Sequence, residues 1–417
     1  MNSDFLIDCI KNTKCVACDG ENLHTVLDLG DQPLANSYHQ GEKLTAFPLK
    51  LNLCTDCCHL QLSHTVNPDL MFKNYLYVSG TTKTLRDYFD DFAKLTVEYV
   101  PDAKKVLDIA CNDATQLDSY KRLGVETYGI DPAENLYDDA VAKGHNIICD
   151  YFNTTTVHKF KEEKFDIITA QNVFAHTKYT LDFLKSCDSV LSKNGKIFIQ
   201  TSQSNLVVNN EFDTVYHEHI SFFNIQSMES LVNRAGLHLN DVRKTSVHGT
   251  SYVFVISRVD EKLEGYVKEY NKEKENGLYD VLKYPEYAMK CWNVAYSLKK
   301  ELENLKNEGY LLVGYGAAAK GNTLLNFTKI KLDLIIDDNP LKQGLLTPGM
   351  NIEIFPASYL RGIDAKQKVA FIPLAWNFFD EICERIRKER ESHNDIYVRY
   401  FPSLKISKSV ELREVNA

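Results

Sequence analysis

The sequence predicts an α/β protein in three parts: a small zinc-binding N-terminal domain over residues 1–75, a central Rossmann-like domain over 76–258, and a C-terminal Rossmann-like α/β domain over 259–417 with a leading helical linker. Two C-x-x-C pairs near the N-terminus predict the first part. Alternating strand-like and helix-like segments predict the second, and a further alternation beyond a charged stretch predicts the third.

Composition narrows the class. A chain of 417 residues with 44% hydrophobic and 25% charged residues has the profile of a soluble globular protein of two or three domains. It holds no run of eighteen or more apolar residues, so no membrane span is expected. The first residues, "MNSDFLIDCIKN", lack the basic-then-apolar layout of a secretory signal, and a cytoplasmic location is the expectation. A net charge of −9 without a Lys/Arg stripe argues against a nucleic-acid partner. Acidic small substrates stay compatible, because a local pocket can be positive on a negative protein.

Eleven cysteines, an odd number without framework spacing, do not read as a disulfide set. Cys15 and Cys18 form one C-x-x-C, and Cys54 and Cys57 form another. Zinc takes four soft ligands in a tetrahedron, and each knuckle turns two thiolates toward one ion. All four positions are then protein ligands, so the site is structural. Cys58 lies beside Cys57 but at a poorer spacing from Cys54.

In the central region, "KKVLDI", "VETYGID", "FDIITA" and "GKIFIQT" read as short buried strands, with a helix expected over "TLDFLKSCDSVLSKNG". "VLDIACNDATQL" (106–117) passes from strand through a tight turn into a helix, at the sheet edge where α/β folds bind ligands. About twenty residues on, "YGIDPAENL" ends a second strand with Asp131, placed to accept hydrogen bonds from two ribose hydroxyls. Either a dinucleotide or S-adenosylmethionine suits that arrangement. The missing G-x-G-x-x-G and the acidic turn, with Asp108 and Asp113 near a sulfonium and an amino group, favour S-adenosylmethionine. Ala110, Asn112 and Pro132 complete the expected cofactor contacts.

"DTVYHEHISFFN" (213–224) crowds Tyr216, His217, Glu218 and His219 ahead of an aromatic pair. Two histidines flanking a glutamate can ligate a metal, serve proton transfer, or satisfy one another; the helical H-E-x-x-H spacing of a zinc hydrolase is absent. The charged stretch "VDEKLEGYVKEYNKEKENG" (259–277) reads as a solvated helix or linker. A helix from about 285 to 308 then leads into "YLLVGYGAAAKGNTLLNF", again strand, glycine turn and helix. There Tyr315, Lys320 and Asn322 are candidates for holding phosphate at a helix N-terminus.

Taken in order, the two C-x-x-C pairs, "VLDIACNDATQL", "GIDPAENL", "ITAQNVFAH", "FDTVYHEHISFF", "YGAAAKGNTLLN" and "LLTPGMNI" resemble the sugar C-methyltransferases over roughly residues 11 to 405. Those enzymes add a methyl branch to nucleotide-linked keto-deoxysugars, as in the tetronitrose and mycarose pathways. The resemblance implies a class I S-adenosylmethionine methyltransferase domain at the centre and a C-terminal α/β domain closing over substrate. Methylation beside a ketone needs a base for the adjacent carbon, a donor for the enolate oxygen and a fixed approach. His219 is the expected general base, Glu218 its orienting partner or a hydroxyl ligand, and Tyr216 the enolate donor. The resemblance adds His176, and either Tyr75 or Tyr77, to the active site. After the fourth strand of the central sheet, Gln171 and Asn172 are expected along the cofactor's edge; Asp150 sits where methyltransferases contact the adenine, though "DYFN" suits a helix cap equally.

Two departures stand out. Ala110, Cys111 and Ala114 replace two glycines and a serine of the family's turn, and alanine keeps such a turn only where φ is below zero. Near residue 249 the chain reads "HGTSY", without the arginine of the family's "GGSLR". The expectation is a C-methyltransferase acting at C3 of a nucleotide-linked 4-keto-deoxysugar, working as a monomer or weak homo-oligomer. The rivals are a sugar O-methyltransferase or one acting at another carbon, and a non-catalytic zinc-knuckle protein with a degenerate core.

Overall fold

The computed structural model describes residues 8–72, 80, 83–202, 205–245, 251–390 and 392–408. Its contacts divide the chain into two compact units. One comprises Met1–Thr25, Asn52–Asn205 and Glu218–Val281, and the other Val26–Leu51, Leu206–His217 and Leu282–Ala417.

The first unit begins with short strands around the cysteine pairs: β1 (Cys9–Lys11), β2 (Leu23–Pro33), β3 (Ala46–Cys54), β4 (Leu60–Leu62) and β5 (His64–Val66). The chain leaves this unit along β2 and re-enters along β3. Helix α1 (Asp69–Phe72) follows, then α2 (Lys83–Tyr99), whose Leu85, Phe89, Phe92 and Ala93 recur at helical spacing and are buried. The central sheet and its helices come next: β6 (Lys105–Ile109), α3 (Thr115–Arg122), β7 (Glu126–Asp131), α4 (Glu134–Ala142), β8 (Asn146–Cys149), β9 (Phe165–Gln171), α5 (Thr180–Val190) and β10 (Leu191–Ser202).

Strands β8, β7, β6, β9 and β10 lie parallel in that order. Being covered on both faces, they carry continuous apolar runs such as Val106–Ile109, all buried. Helix α5 is shorter than the sequence pattern predicts. Leu191 already pairs with Phe165, and a bulge follows before Lys196 rejoins the ladder.

Beyond α6 (Leu206–Asn209), which belongs to the other unit, come β11 (Ser221–Phe222), α7 (Ile225–Arg234), β12 (His238–Thr245), β13 (Ser251–Ser257) and α8 (Glu264–Glu275). Strands β13 and β12 extend the sheet antiparallel beyond β10. The charged stretch is helical but more than a solvated surface. Glu269 and Glu273 of α8 are buried, and Glu273 accepts hydrogen bonds from the Ile225 amide (2.8 Å) and the Tyr279 hydroxyl (2.7 Å). Those bonds offset the cost of burying a carboxyl. The cysteine knuckles are no separate core either, since Cys15, Ala17, Cys54 and Cys57 pack in one cluster with Leu107, Ile168 and Phe223.

The second unit is built on α9 (Lys283–Asn307), β14 (Leu311–Tyr315), α10 (Ala319–Thr328), β15 (Leu334–Ile336), β16 (Ile354–Phe355), β17 (Val369–Pro373), α11 (Phe379–Glu389), β18 (Ile396–Arg399) and β19 (Lys405–Lys408). Its six strands run β16-β15-β14-β17-β18-β19, parallel except for β19. Among the described residues no helix is long and apolar enough to cross a membrane.

Candidate active site

The four cysteines come together. Sγ atoms of Cys15, Cys18, Cys54 and Cys57 all lie within 4.8 Å of one another, with Cys15–Cys57 at 3.7 Å and Cys18–Cys54 at 3.6 Å. Tetrahedral ligands ~2.3 Å from zinc stand about 3.8 Å apart, so the set fits that ion. The two knuckles are built alike. The first amide of each bonds five residues on (Cys15 to the Gly20 carbonyl, Cys54 to the His59 carbonyl, both 2.8 Å), and the fourth residue on returns a bond to the first carbonyl. That fourth residue is left-handed in both, Asp19 at φ 67° and Cys58 at φ 57°. Cys58 therefore closes the knuckle through its backbone and is not one of the clustered thiols.

The cofactor turn follows β6. The Ala110 amide donates to the Ile130 carbonyl (2.7 Å), and Asp131, at the end of β7, accepts the Asn112 amide (2.9 Å) and the Ala133 amide (2.8 Å). Pro132 donates nothing, so the carboxylate reaches past it. Among the described residues each Asp131 oxygen accepts one amide, which leaves it a lone pair for a ribose hydroxyl. The second unit repeats this construction: the Gly316 amide bonds the Ile336 carbonyl (2.7 Å), and Asp337 accepts the Ala317 amide (2.6 Å).

The condition set by the sequence for the alanines is not met. Ala110, Asn112 and Ala114 have φ of 59°, 52° and 61°. Asparagine tolerates that region; each alanine costs about 1–2 kcal/mol. The turn keeps its shape because Cys111 is buried beside Gly129, where a Cβ would approach its Sγ to 2.6 Å. Gly316, at φ 88°, occupies the place of Ala110 in the second unit. Ala110→Gly should therefore raise stability by about 0.5–1 kcal/mol after the entropy cost of glycine. Ala114→Gly should come out near zero, because it also deletes a fully buried methyl worth about 0.8 kcal/mol. Thermal melts of the two variants decide between relief of strain and a turn that suits alanine.

Three acids expected near the cofactor have protein partners of their own. Asp113 is consumed locally: it accepts the Thr115 amide and hydroxyl (3.2 and 2.7 Å) and the Gly80 amide (3.2 Å), with Lys143 Nζ at 3.7 Å. Standing at a helix start, it accepts the first amide of α3, that of Thr115. Asp108 is buried and takes the Thr169 hydroxyl (2.6 Å), and burial pushes its carboxyl up to about 7. Asp150 pairs with Lys159, while the cap of that segment is Asn153, whose oxygen accepts the Thr155 and Thr156 amides. Gln171 ends β9 and donates to Gln116 (2.8 Å), leaving its buried oxygen unpaired; Asn172 turns the chain at φ 56°.

The histidines separate into two kinds. His217 falls in the second unit, where its Nε2 meets the Phe47 carbonyl (3.3 Å) and burial lowers it to about 4. Tyr216 belongs to that unit too, so the motif divides between His217 and Glu218. Among the described residues only the four cysteines cluster as three or more potential metal ligands. His219 instead stacks on His176, with ring centroids 5.3 Å apart and 24° between planes. A backbone bond sets this register, the Ile220 amide donating to the Ala175 carbonyl (2.7 Å). Glu218 is buried beside it in sequence.

His176 also stacks on Phe72 at 5.5 Å, and burial lowers its imidazole to about 4. A depressed histidine favours folding above its unfolded value near 6.5, and that contribution is lost as pH falls toward 4. His176 should thus stay neutral from pH 5.5 to 8, which flat imidazole resonances in an NMR titration would show. Tyr75 and Tyr77 lie outside the described residues, as does most of "HGTSY".

Of the three residues expected to hold phosphate in the second unit, two are otherwise engaged. Tyr315 donates to Asp338 (2.9 Å), and the buried Asn322 amide donates to the Ala35 carbonyl (2.8 Å) and Tyr38 (3.2 Å). Lys320 lies over the Trp376 ring at 5.0 Å. Sequence reasoning passed over Gln200, Tyr88 and Phe72. Gln200 is fully buried two residues before the end of β10, opposite Gln171 in the ladder; Tyr88 donates to its oxygen, while its amide nitrogen has no partner among the described residues. A glutamine at matching places in two adjacent strands, in "ITAQ" and "IFIQ", was the available signal.

Family models match the chain in three successive stretches: a putative zinc binding domain over residues 15–72, a methyltransferase domain over 81–242, and a C-methyltransferase C-terminal domain over 246–402. With the metal knuckles and the cofactor turn, these make the chain an S-adenosylmethionine-dependent methyltransferase. It is 26% identical over 394 residues to C-methyltransferase NovU of Streptomyces niveus, spanning 91% of this chain and 93% of that one. The protein is a C-methyltransferase related to that enzyme. A ubiquinone biosynthesis O-methyltransferase of Bradyrhizobium diazoefficiens is 33% identical over 105 residues, only 24% of this chain and 41% of its own. The solved structure of Streptomyces venezuelae DesVI matches 42% of this chain and 93% of its own at 15% identity, with a TM-score of 0.36.

Proposed function

We propose that the enzyme methylates C3 of a nucleotide-linked 4-keto-deoxysugar through an enolate. What carries this reading is the His219–His176 pair: two imidazoles from separate segments, stacked at 5.3 Å, one of them held neutral by burial. S-adenosylmethionine, when bound, supplies an electrophilic methyl on a sulfonium sulfur. The turn after β6 and Asp131 would hold its ribose. Neutral His219 removes the proton from the carbon beside the ketone, and the electron pair left there is the nucleophile. His176 stays neutral alongside, so no fixed positive charge opposes protonation of His219. The proton passes from His219 to solvent after transfer. The match of the C-terminal stretch to a C-methyltransferase domain supports carbon over oxygen as the acceptor.

The test is mass spectrometry of a panel of nucleotide-4-keto-6-deoxysugars incubated with enzyme in deuterated water, with and without methyl donor. Deuterium uptake beside the ketone without donor, and a methyl gain with it, are the expected results. Methyl gain without any such uptake would point to O-methylation, and neither change despite cofactor binding would refute the substrate class.

A further inference from the structure

We infer that the cysteine centre, acting through His59 and strand β4, is a positioning device for His219. This rests on the assignment of His219 as the base. The path is continuous and lies within the first unit. His59 follows the second knuckle and is fully buried, its ring nitrogens meeting the Ser221 hydroxyl (3.4 Å) and the Ser227 hydroxyl (3.3 Å). Asn224 donates to the carbonyl of Cys58 (2.7 Å). Strand β4 pairs with β11 through Leu60–Phe222 and Gln61–Ser221, and the Leu62 amide bonds the Ile220 carbonyl (2.8 Å). His219 is the next residue.

The first knuckle is tied into the same frame. Gln61, fully buried on β4, accepts the Val16 amide (2.9 Å) and donates to the Lys14 carbonyl (3.0 Å). Thr180 donates to the Val16 carbonyl (3.0 Å), and Arg234 to that of Ala17 (2.6 Å). A metal joining the knuckles therefore clamps β4 between residues 14–16 and residues 220–222. The distance of His219 from its target follows from where β4 sits. Partners that orient a working group this way change function roughly 10- to 100-fold when removed, and an ångström of misplacement has an effect of about that size.

The experiment uses full-length, metal-loaded enzyme with carbon-13-labelled histidine, in His59→Asn and, as a milder change, Ser221→Ala. Expected are displaced His219 and His176 ring resonances, S-adenosylmethionine affinity within about twofold of wild type, and deuterium exchange into the keto-sugar slowed at least about tenfold. The loss should appear in kcat rather than KM. Unmoved His219 resonances with unchanged exchange in either folded variant would overturn the proposal, leaving a merely structural histidine. The base assignment fails separately: if His219→Ala retains normal exchange while His59→Asn still displaces the His219 resonance, positioning stands and the base is another group.

Discussion

His219→Ala should lower methyl transfer by about 10²- to 10⁴-fold while leaving S-adenosylmethionine affinity within about twofold. In barrier terms this is about 3–5.5 kcal/mol, the range for a general base lost from a proton abstraction. Separation of the two effects follows from the fold. The cofactor turn hangs on β6 and β7, through Ala110, Asn112 and Asp131, whereas His219 arrives on the β11 segment and is set by the Ala175 carbonyl. Removing its ring takes a stacking partner from His176, while the printed bonds of the turn run to Ile130 and Asp131. Single-turnover transfer of labelled methyl, with calorimetry for the cofactor, measures both quantities. A variant that keeps turnover within a few-fold of wild type returns the role to another group, and His176→Asn then identifies whether it is the neighbouring ring.

Much of this was legible because chemistry ties residue type to spacing. Two C-x-x-C pairs have few uses other than gripping one metal ion, and their four sulfurs come together as expected. Apolar runs such as "KVLDI" and "FDIITA" have few homes other than a covered parallel sheet, and they became β6 and β9. What escaped notice depends on long-range contact or on backbone conformation. Residues 26–51 and 206–217 belong with the C-terminal unit, and no local pattern marks a segment that leaves its neighbours in sequence. Ala110 and Ala114 adopt φ near 60°, which an alanine argues against; the surrounding bonds to Ile130 and Cys111 outweigh its preference. Asp113 has the right type and place for a cofactor ligand, yet the amide and hydroxyl of Thr115 at its own helix start also bond it, which no spacing rule displays. Glu269 and Glu273 look solvated in sequence, and only the partners of Glu273 across the unit explain its burial.

Stripping the metal should produce the largest change in stability. Structural zinc contributes an apparent ~10–16 kcal/mol at neutral pH, comparable with or above the whole stability of a typical domain, about 5–15 kcal/mol. Here the loss cannot stay local, because Cys15, Ala17, Cys54 and Cys57 pack in the same core as Leu107, Ile168 and Phe223. Without the ion, four thiols clustered within 4.8 Å of one another have no common partner to hold them together. Chelation monitored by calorimetry should lower the unfolding transition by roughly 10 °C or more, with return on adding zinc. Cys54→Ser should reproduce the fall. Cys58→Ser should keep one zinc per chain and melt near wild type, because Cys58 supplies a left-handed backbone to the knuckle and no ligand. Equal loss of zinc from both variants would mean that Cys58 ligates the metal after all. An unchanged transition after metal loss has been verified would mean that the packing of the knuckles, and not the ion, holds β4 in place.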